Sequence, residues 1–119
     1  MKNKYAVGKR GQEIAEDFLR KKGGKILERN YRVRTGEIDL IVHLGEYVVF
    51  VEVKFRSGIS YGLPREAVGG AKQQKIIRTA MHYISARKLD NQDFRFDVVE
   101  VLEQGGRVFV NHIEDAFGV

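Results

Sequence analysis

Two carboxylates and a lysine lie on neighbouring strands predicted from apolar runs of this chain. Asp39 lies within the run Ile38–Val42, whereas Glu52 lies within Val48–Val53 and is followed two residues later by Lys54. Burying two acids side by side is costly unless a cation joins them. Mg²⁺, which prefers hard oxygen ligands, would reverse that cost. The spacing therefore indicates a metal site, and a metal beside a lysine is typical of phosphodiester chemistry.

The turn between the two strands predicts their register. Gly45-Glu46 fits a two-residue type II′ turn, which has glycine at its first position. Counting outwards from this turn places Asp39 directly opposite Glu52, with Cβ atoms about 4.5–5.5 Å apart. Lys54 would share their face by the period of two. A bulge would separate the carboxylates. Opposed acids should also have raised, coupled pKa values, so that metal binding depends on pH.

A simpler interpretation needs no metal. Asp39 and Glu52 could lie at solvated strand ends and form ion pairs with Lys54 and Arg56, as surface charges commonly do.

The hydrophobic pattern predicts the order α-β-β-β-α-β-β, which is an α/β fold. The helices cover about 6–22 and Ala71–Arg87, and a loop covers Arg56–Pro64. The strands cover Ile26–Val33, Glu37–His43, Glu46–Phe55, Arg95–Leu102 and Arg107–Ile113. The middle strands are apolar on both faces, which is typical of a sheet covered by helices on both sides.

Composition predicts one domain over residues 1–119, since 119 residues is a common domain length and 43% of them are hydrophobic. A membrane span and a secretory signal are not expected, because no long apolar run is present. Cysteine is absent. This excludes a disulfide scaffold and thiolate zinc sites and agrees with a cytoplasmic location. A net charge of +5 is consistent with a nucleic-acid partner.

The spacing from Asp39 to Glu52-Val53-Lys54 resembles the D…ExK core of PD-(D/E)xK nucleases, with Ile38 in place of the proline. The whole chain resembles the YraN-type family, bacterial proteins described as endonuclease-like and related to archaeal Holliday junction resolvases. The residues that carry this resemblance are Gly8, Gly11, Leu19, Gly23, Asn30-Tyr31-Arg32, Gly36-Glu37-Ile38-Asp39-Leu40-Ile41, Phe50-Val51-Glu52-Val53-Lys54, Arg56, Tyr61-Gly62, Ala67-Val68, Lys72-Gln73, Arg95-Phe96-Asp97-Val98-Val99 and Ala116-Phe117.

The resemblance implies a restriction-endonuclease-like αβββαβ core, a central mixed sheet flanked by helices, with an extra C-terminal strand. It also implies an endonuclease that hydrolyses DNA phosphodiesters, with branched or structured DNA as substrate. Asp39, Glu52 and the Val53 carbonyl would hold Mg²⁺, or Mn²⁺ in its place, and Lys54 would position water or stabilise the transition state. A homodimer would supply the two sites that cutting a two-fold junction needs.

One position departs from the family. Its usual glutamate on the first helix, four residues after Gly8, is Gln12 here. Related resolvases complete the metal site with that glutamate, whereas Gln12 offers a carbonyl oxygen without charge. Glu16 lies one turn later on the same side, and Glu13 is adjacent. The departure favours an alternative, a catalytically weak or inactive nucleic-acid-binding module of the same fold.

Basic and amide side chains flank the predicted cleft. They would contact nucleic-acid phosphates, which positions the backbone and carries no sequence information. These candidates are Arg32, Arg34, Arg56, Lys72, Gln73 and Lys75. A solvated surface explains the same residues, and a purely protein-binding scaffold would show no salt-dependent DNA affinity.

Overall fold

The computed structural model describes residues 4–57 and 69–118. Helices and strands follow the predicted order. They are α1 (Lys4–Lys21), β1 (Lys25–Val33), β2 (Gly36–Leu44), β3 (Tyr47–Ser57), α2 (Gly70–Ala86), β4 (Asp93–Gln104) and β5 (Arg107–Phe117). Neither helix, within these described ranges, combines the length and apolar character that crossing a membrane requires.

The predicted loop from Arg56 to Pro64 lies mostly outside the described residues. Its first two residues are a correction, because Arg56 and Ser57 belong to β3. The parallel pairing of β3 with β4 extends to Ser57 opposite Glu103, so the ladder holds Arg56 in extended backbone.

The five strands form a single mixed sheet in the order β1-β2-β3-β4-β5. Only the β3–β4 pair is parallel, and the other three neighbouring pairs are antiparallel. A parallel pair needs a crossover connection, and α2 lies within it. The predicted α/β architecture, an αβββαβ core with one additional strand at the C-terminus, is confirmed.

Helices cover both faces of the sheet and make two buried clusters. The α1 side buries Ala15, Leu19, Leu40, Val42, Val49, Val51, Val99 and Val101. The α2 side buries Ile38, Ile41, Val48, Phe50, Ile76, Ile77, Ala80, Tyr83, Ile84, Phe96 and Val98. Strand β3 contributes to both clusters, as expected of a central strand covered on each face.

The glycines of α1 differ in what surrounds them. Gly11 is buried where α1 crosses β3, and a Cβ atom there would lie 3.0 Å from Cβ of Phe55. Gly8, one turn earlier, has open space where a Cβ would stand. The absence of a side chain at Gly11 thus permits the close approach of α1 to the sheet.

The register predicted for the β2–β3 hairpin is confirmed. Leu44 pairs with Tyr47 across Gly45, whose φ is +62°, and the ladder continues without a bulge to Leu40 opposite Val51. The next pair along this register would be Asp39 and Glu52, so the turn chemistry brings both acids to the same level of the sheet.

Strand β2 is irregular at Asp39. Leu40 joins the cluster under α1, whereas Ile38 joins the cluster under α2, although regular alternation would place both on one face. The β2–β3 ladder also ends at Leu40. The prediction that Asp39 shares a face with Glu52 assumed regular alternation, which β2 does not keep at Asp39. The side-chain contacts of Asp39 therefore determine where its carboxylate lies relative to Glu52.

Candidate functional site

Asp39 lies where β2 leaves the ladder. Its Oδ2 atom accepts a hydrogen bond from the backbone N–H of Val53 at 2.9 Å. The carboxylate therefore takes the place of a main-chain acceptor opposite β3, and this contact fixes the half-buried side chain beside the Glu52-Val53-Lys54 segment.

Glu52 is the more deeply buried acid. It is 3% exposed, and its Oε2 atom lies 2.8 Å from Nζ of Lys72, near the start of α2. A buried carboxylate is tolerated when a cation and hydrogen bonds satisfy it. Lys72, predicted as a phosphate contact, is thus brought directly to the acidic pair.

Burial raises the pKa of both acids. For Asp39, burial outweighs the Val53 N–H and the charge of Lys72, which lower the pKa. For Glu52, burial is the largest cause, the charge of Asp39 raises the pKa further, and Lys72 opposes both. The charge of Asp39 raises the pKa of Glu52 because the two groups lie close together, so the pKa values of both acids lie above their ordinary values, as the sequence predicts.

Lys54 and Lys72 complete a group of four charges. Burial lowers the pKa of Lys54, and the neighbouring charge of Lys72 lowers it further. Burial alone would lower the pKa of Lys72, but its hydrogen bond to Glu52 and the charge of Glu52 raise it overall. We call Asp39, Glu52, Lys54 and Lys72 the charge quartet; its two acids and two lysines are formally neutral together.

A cavity of about 560 Å³ opens beside Asp39 on the α1 side of the sheet. Most of the residues that line it are polar or charged types, including acids from α1 and basic and amide groups from β1. The residues around it are Gly8, Lys9, Gln12, Glu13, Glu16, Arg29, Asn30, Asp39, Val53 and Phe55. Asp39 therefore has solvent access from this side.

Gln12 occupies the predicted helix position in this cavity, but its amide is already paired. Gln12 Nε2 donates to Asn30 Oδ1 at 3.0 Å, and Asn30 Nδ2 donates back to Gln12 Oε1 at 3.2 Å. Asn30 has a φ of +50°, a conformation that asparagine tolerates better than most residues. The reciprocal amide pair joins α1 to β1 beside Asp39.

Glu16 also lines the cavity, and two arginines balance its charge. Its Oε1 atom accepts from Arg29 Nε at 2.8 Å and from Arg20 Nη2 at 3.4 Å. Over residues 4–57 and 69–118, no three acidic, histidine or cysteine side chains form a group able to hold a metal ion. The helix position thus adds no third carboxylate beside Asp39 and Glu52.

The donor set still fits one Mg²⁺ ion. Asp39 and Glu52 offer carboxylate oxygens, the Val53 carbonyl lies on the same strand segment, and the raised pKa values mean that a divalent charge would relieve an unfavourable pair. Mg²⁺ is commonly held by one or two carboxylates, with water and substrate phosphate completing its six ligands. These three residues would therefore suffice for one ion.

The remaining predicted nucleic-acid contacts are dispersed. Arg32 pairs with Glu37 at 3.0 Å, and Arg56 lies 3.6 Å from Glu100. Arg34 and Lys75 are exposed, and Gln73 is partly buried. Of these six candidates, Lys72 has an ion pair with a predicted catalytic acid.

The sequence indicated an arginine partner for Asp97 but no catalytic role, and its side chain is fully buried in β4. His112 Nε2 lies 2.7 Å from Asp97 Oδ2, while Arg95 Nε and the backbone N–H of Asp115 each donate to Oδ1 at 3.0 Å. Burial would raise the pKa of Asp97, but these donors lower it overall. In the sequence, this cluster is indicated by Arg95 and Asp97, because a cation and an acid two residues apart on one strand share a face.

Glu100 is a second buried acid that the sequence did not single out. It lies opposite Lys54 in the parallel register of β3 and β4, 2% exposed, and contacts Arg56 and Asn111. Its position depends on that long-range strand pairing, which local sequence patterns do not contain.

The comparisons with known proteins agree on one family. The model of the uncharacterised protein family UPF0102 matches residues 11–101. A UPF0102 protein of Syntrophotalea carbinolica is 45% identical over 116 residues, covering 98% of this chain and 94% of that protein. A UPF0102 protein of Clostridioides difficile is 46% identical over 115 residues, covering 97% of this chain and 99% of that protein. The predicted resemblance to the YraN-type family is confirmed as membership of this family.

Proposed function

Because the chain belongs to the uncharacterised protein family UPF0102, whose name assigns no activity, we propose its function from the geometry of the charge quartet. The protein is a Mg²⁺-dependent endonuclease that hydrolyses DNA phosphodiesters in branched or structured DNA. The observation that carries the proposal is the close pair of carboxylates, half-buried Asp39 and buried Glu52, with lysines beside them. Pairs of acids with raised pKa values occur preferentially at functional sites.

Each residue of the site has a chemical role in this proposal. Asp39, Glu52 and the Val53 carbonyl hold the metal ion, which when bound supplies Lewis-acid chemistry for phosphodiester hydrolysis. Lys54 donates a hydrogen bond to a phosphate oxygen as negative charge develops there. The cavity admits water to the Asp39 carboxylate from the α1 side of the sheet, whereas Lys72 approaches Glu52 from α2.

The exposed basic residues support a nucleic-acid substrate. Arg34 and Lys75 are exposed, and the chain carries a net charge of +5. Such groups bind the phosphate backbone without reading bases, which suits recognition by shape rather than by sequence. A homodimer would present two such sites to a two-fold substrate.

The test is cleavage of end-labelled DNA. A four-way junction, a flap and a plain duplex are each incubated with the protein in Mg²⁺, in Mn²⁺ and in EDTA. We expect a branched substrate to be cut only with metal, and the Asp39→Asn and Glu52→Gln variants to lose about 100-fold or more in rate. Asp17→Asn, an exposed acid on α1, is the matched control and should cut normally. If no substrate is cut with either metal, the enzyme proposal is wrong.

A second candidate function has its own supporting observation. Gln12 is paired with Asn30, and Glu16 is neutralised by arginines, so the site has two carboxylates where related nucleases use three. This favours a nucleic-acid-binding module with little or no turnover. It predicts salt-dependent DNA binding that persists in Asp39→Asn, with no cleavage by either protein.

A further inference from the structure

The Lys72 side chain joins a buried acid to solvent. Its ammonium lies 2.8 Å from Glu52, which is almost fully buried, while the Lys72 side chain itself is 48% exposed. Lysine carries its charge on a flexible four-carbon stem. Lys72 can therefore leave Glu52 without any change in the backbone.

The position of Lys72 on its helix is unfavourable without Glu52. Lys72 is the third residue of α2, whose first turn contains no acidic residue and whose N-cap, Gly69, makes no side-chain hydrogen bond. The positive end of the helix dipole repels a cation there. A residue that breaks a local preference in this way commonly has its reason in a site, and here the contact with Glu52 supplies that reason.

Charge balance shows what a divalent ion would change. The charge quartet contains two acids and two lysines, so it is formally neutral. Adding Mg²⁺ to that half-buried group would leave a net charge of +2. Losing one lysine halves this excess. Lys54 is fixed on the central strand β3, whereas Lys72 reaches in from α2.

We propose that Lys72 is a resident counter-cation of the acidic pair, and that a divalent metal and the Lys72 ammonium occupy Glu52 in exchange for each other. The displaced ammonium then lies beside the site, where it can bind a phosphate oxygen of the substrate. This inference rests on the metal site of the proposed function. It adds that the Lys72 ammonium neutralises Glu52 while no metal ion is bound.

Metal affinity tests the exchange directly. Titration calorimetry with Mg²⁺ and with Mn²⁺ is carried out on the wild type, Lys72→Met, Lys72→Gln and Lys25→Met. Removing the competing charge should tighten metal binding about tenfold, within the usual range of coupling between two ligands. Lys72→Gln keeps a hydrogen-bond donor for Glu52 without the charge, so it is the second variant if Lys72→Met folds poorly. Lys25→Met removes an equal charge at the far end of the β1–β2 hairpin and should bind metal as the wild type does.

Thermal unfolding provides a readout that does not depend on cleavage. In EDTA, Lys72→Met should unfold about 5 °C or more below the wild type, because Glu52 loses its cation. Mg²⁺ should restore the unfolding temperature of Lys72→Met more than it raises that of the wild type.

The outcomes separate this inference from the proposed function. Tighter metal binding by the Lys72 variants without DNA cleavage would support the exchange and contradict the nuclease. Metal-dependent cleavage with equal or weaker metal affinity in the Lys72 variants would overturn the exchange alone. Absence of metal binding in the wild type and every variant would overturn both.

Discussion

The Asp39 carboxylate is held in a place where its charged form is unfavourable. Burial raises its pKa, and its charge in turn raises the pKa of Glu52. Functional acids are commonly kept at such a cost to the stability of the fold. The consequence can be measured as a change in the free energy of unfolding.

Asp39→Asn should therefore stabilise the metal-free protein at pH 7 by about 1 kcal/mol. The amide oxygen can still accept from the Val53 N–H, while the repulsion of Glu52 disappears. Because the folded-state pKa of Asp39 is raised, the wild type loses stability as pH rises from its ordinary value of 3.8 through the raised pKa. The advantage of the variant should be full above that pKa and absent below 3.8. Urea unfolding in EDTA between pH 3 and 8 measures it.

The exposed acid Asp17 provides the control. Asp17→Asn should change the free energy of unfolding by about 0.5 kcal/mol or less at every pH, since its ion pair with Arg20 lies at the surface. A loss of stability in Asp39→Asn at pH 7 would show that the charged form of Asp39 is not unfavourable in the folded protein.

At this scale the sequence predicted that Asp39 and Glu52 lie close together. The apolar runs and the Gly45-Glu46 turn were sufficient to bring Asp39 and Glu52 to the same level. The contact of Lys72 with Glu52 was not predictable, because it depends on how α2 docks on β3. The pairing of Gln12 with Asn30 depends in the same way on how α1 crosses β1.

Among the elements, α1 is positioned by a close contact that only glycine permits. Gly11→Val should destabilise the fold by about 1–3 kcal/mol, because its side chain would overlap Phe55 on β3. Gly8→Ala, one turn away in open space, should stabilise the helix by about 0.5–1 kcal/mol. Thermal unfolding of both variants measures the difference, and equal effects would show that α1 does not approach β3 so closely.

The last two strands are joined by the buried Asp97 cluster. Asp97→Asn should cost about 3 kcal/mol at pH 7, because His112 and Arg95 lose a buried carboxylate partner. The pKa of Asp97 is lowered in the folded state, so its contribution is full above the ordinary value of 3.8 and is lost as pH falls through the lowered pKa.

Urea unfolding from pH 2 to 7 checks this prediction, with Asp93→Asn, an exposed acid on the same strand, as control. A cost that stays constant over the whole pH range would show that the charge of Asp97 is not what stabilises the β4–β5 pair.

Element order was predictable because each apolar run has a clear period of two or of 3.6 residues. The break in alternation at Asp39 was not predictable, because local spacing predicts regular strands. It requires Ile38 and Leu40 to be buried on opposite faces by two different helices. The extension of β3 through Arg56 likewise depends on its parallel partner β4.

Over the whole molecule, the charge quartet is formally neutral, whereas the protein as a whole is basic. A net charge of +5 should give DNA affinity that falls steeply with salt, with a slope of about 0.9 for each phosphate contacted. The double variant Arg34→Ala/Lys75→Ala should reduce that slope by about 2. Fluorescence anisotropy with a labelled junction between 50 and 300 mM salt measures it; affinity that is independent of salt would favour a protein partner.

The hydrogen bond from the Val53 N–H to Asp39 also has a spectroscopic consequence. The Val53 amide proton donates to a carboxylate at 2.9 Å, and its resonance should move when that acceptor loses negative charge, because the hydrogen bond then weakens. In an ¹⁵N-labelled sample, this single peak would follow protonation of Asp39, arrival of a metal ion and replacement of Asp39 by asparagine. The backbone of β3 thus contains its own probe of the neighbouring acid, which can be read without a substrate.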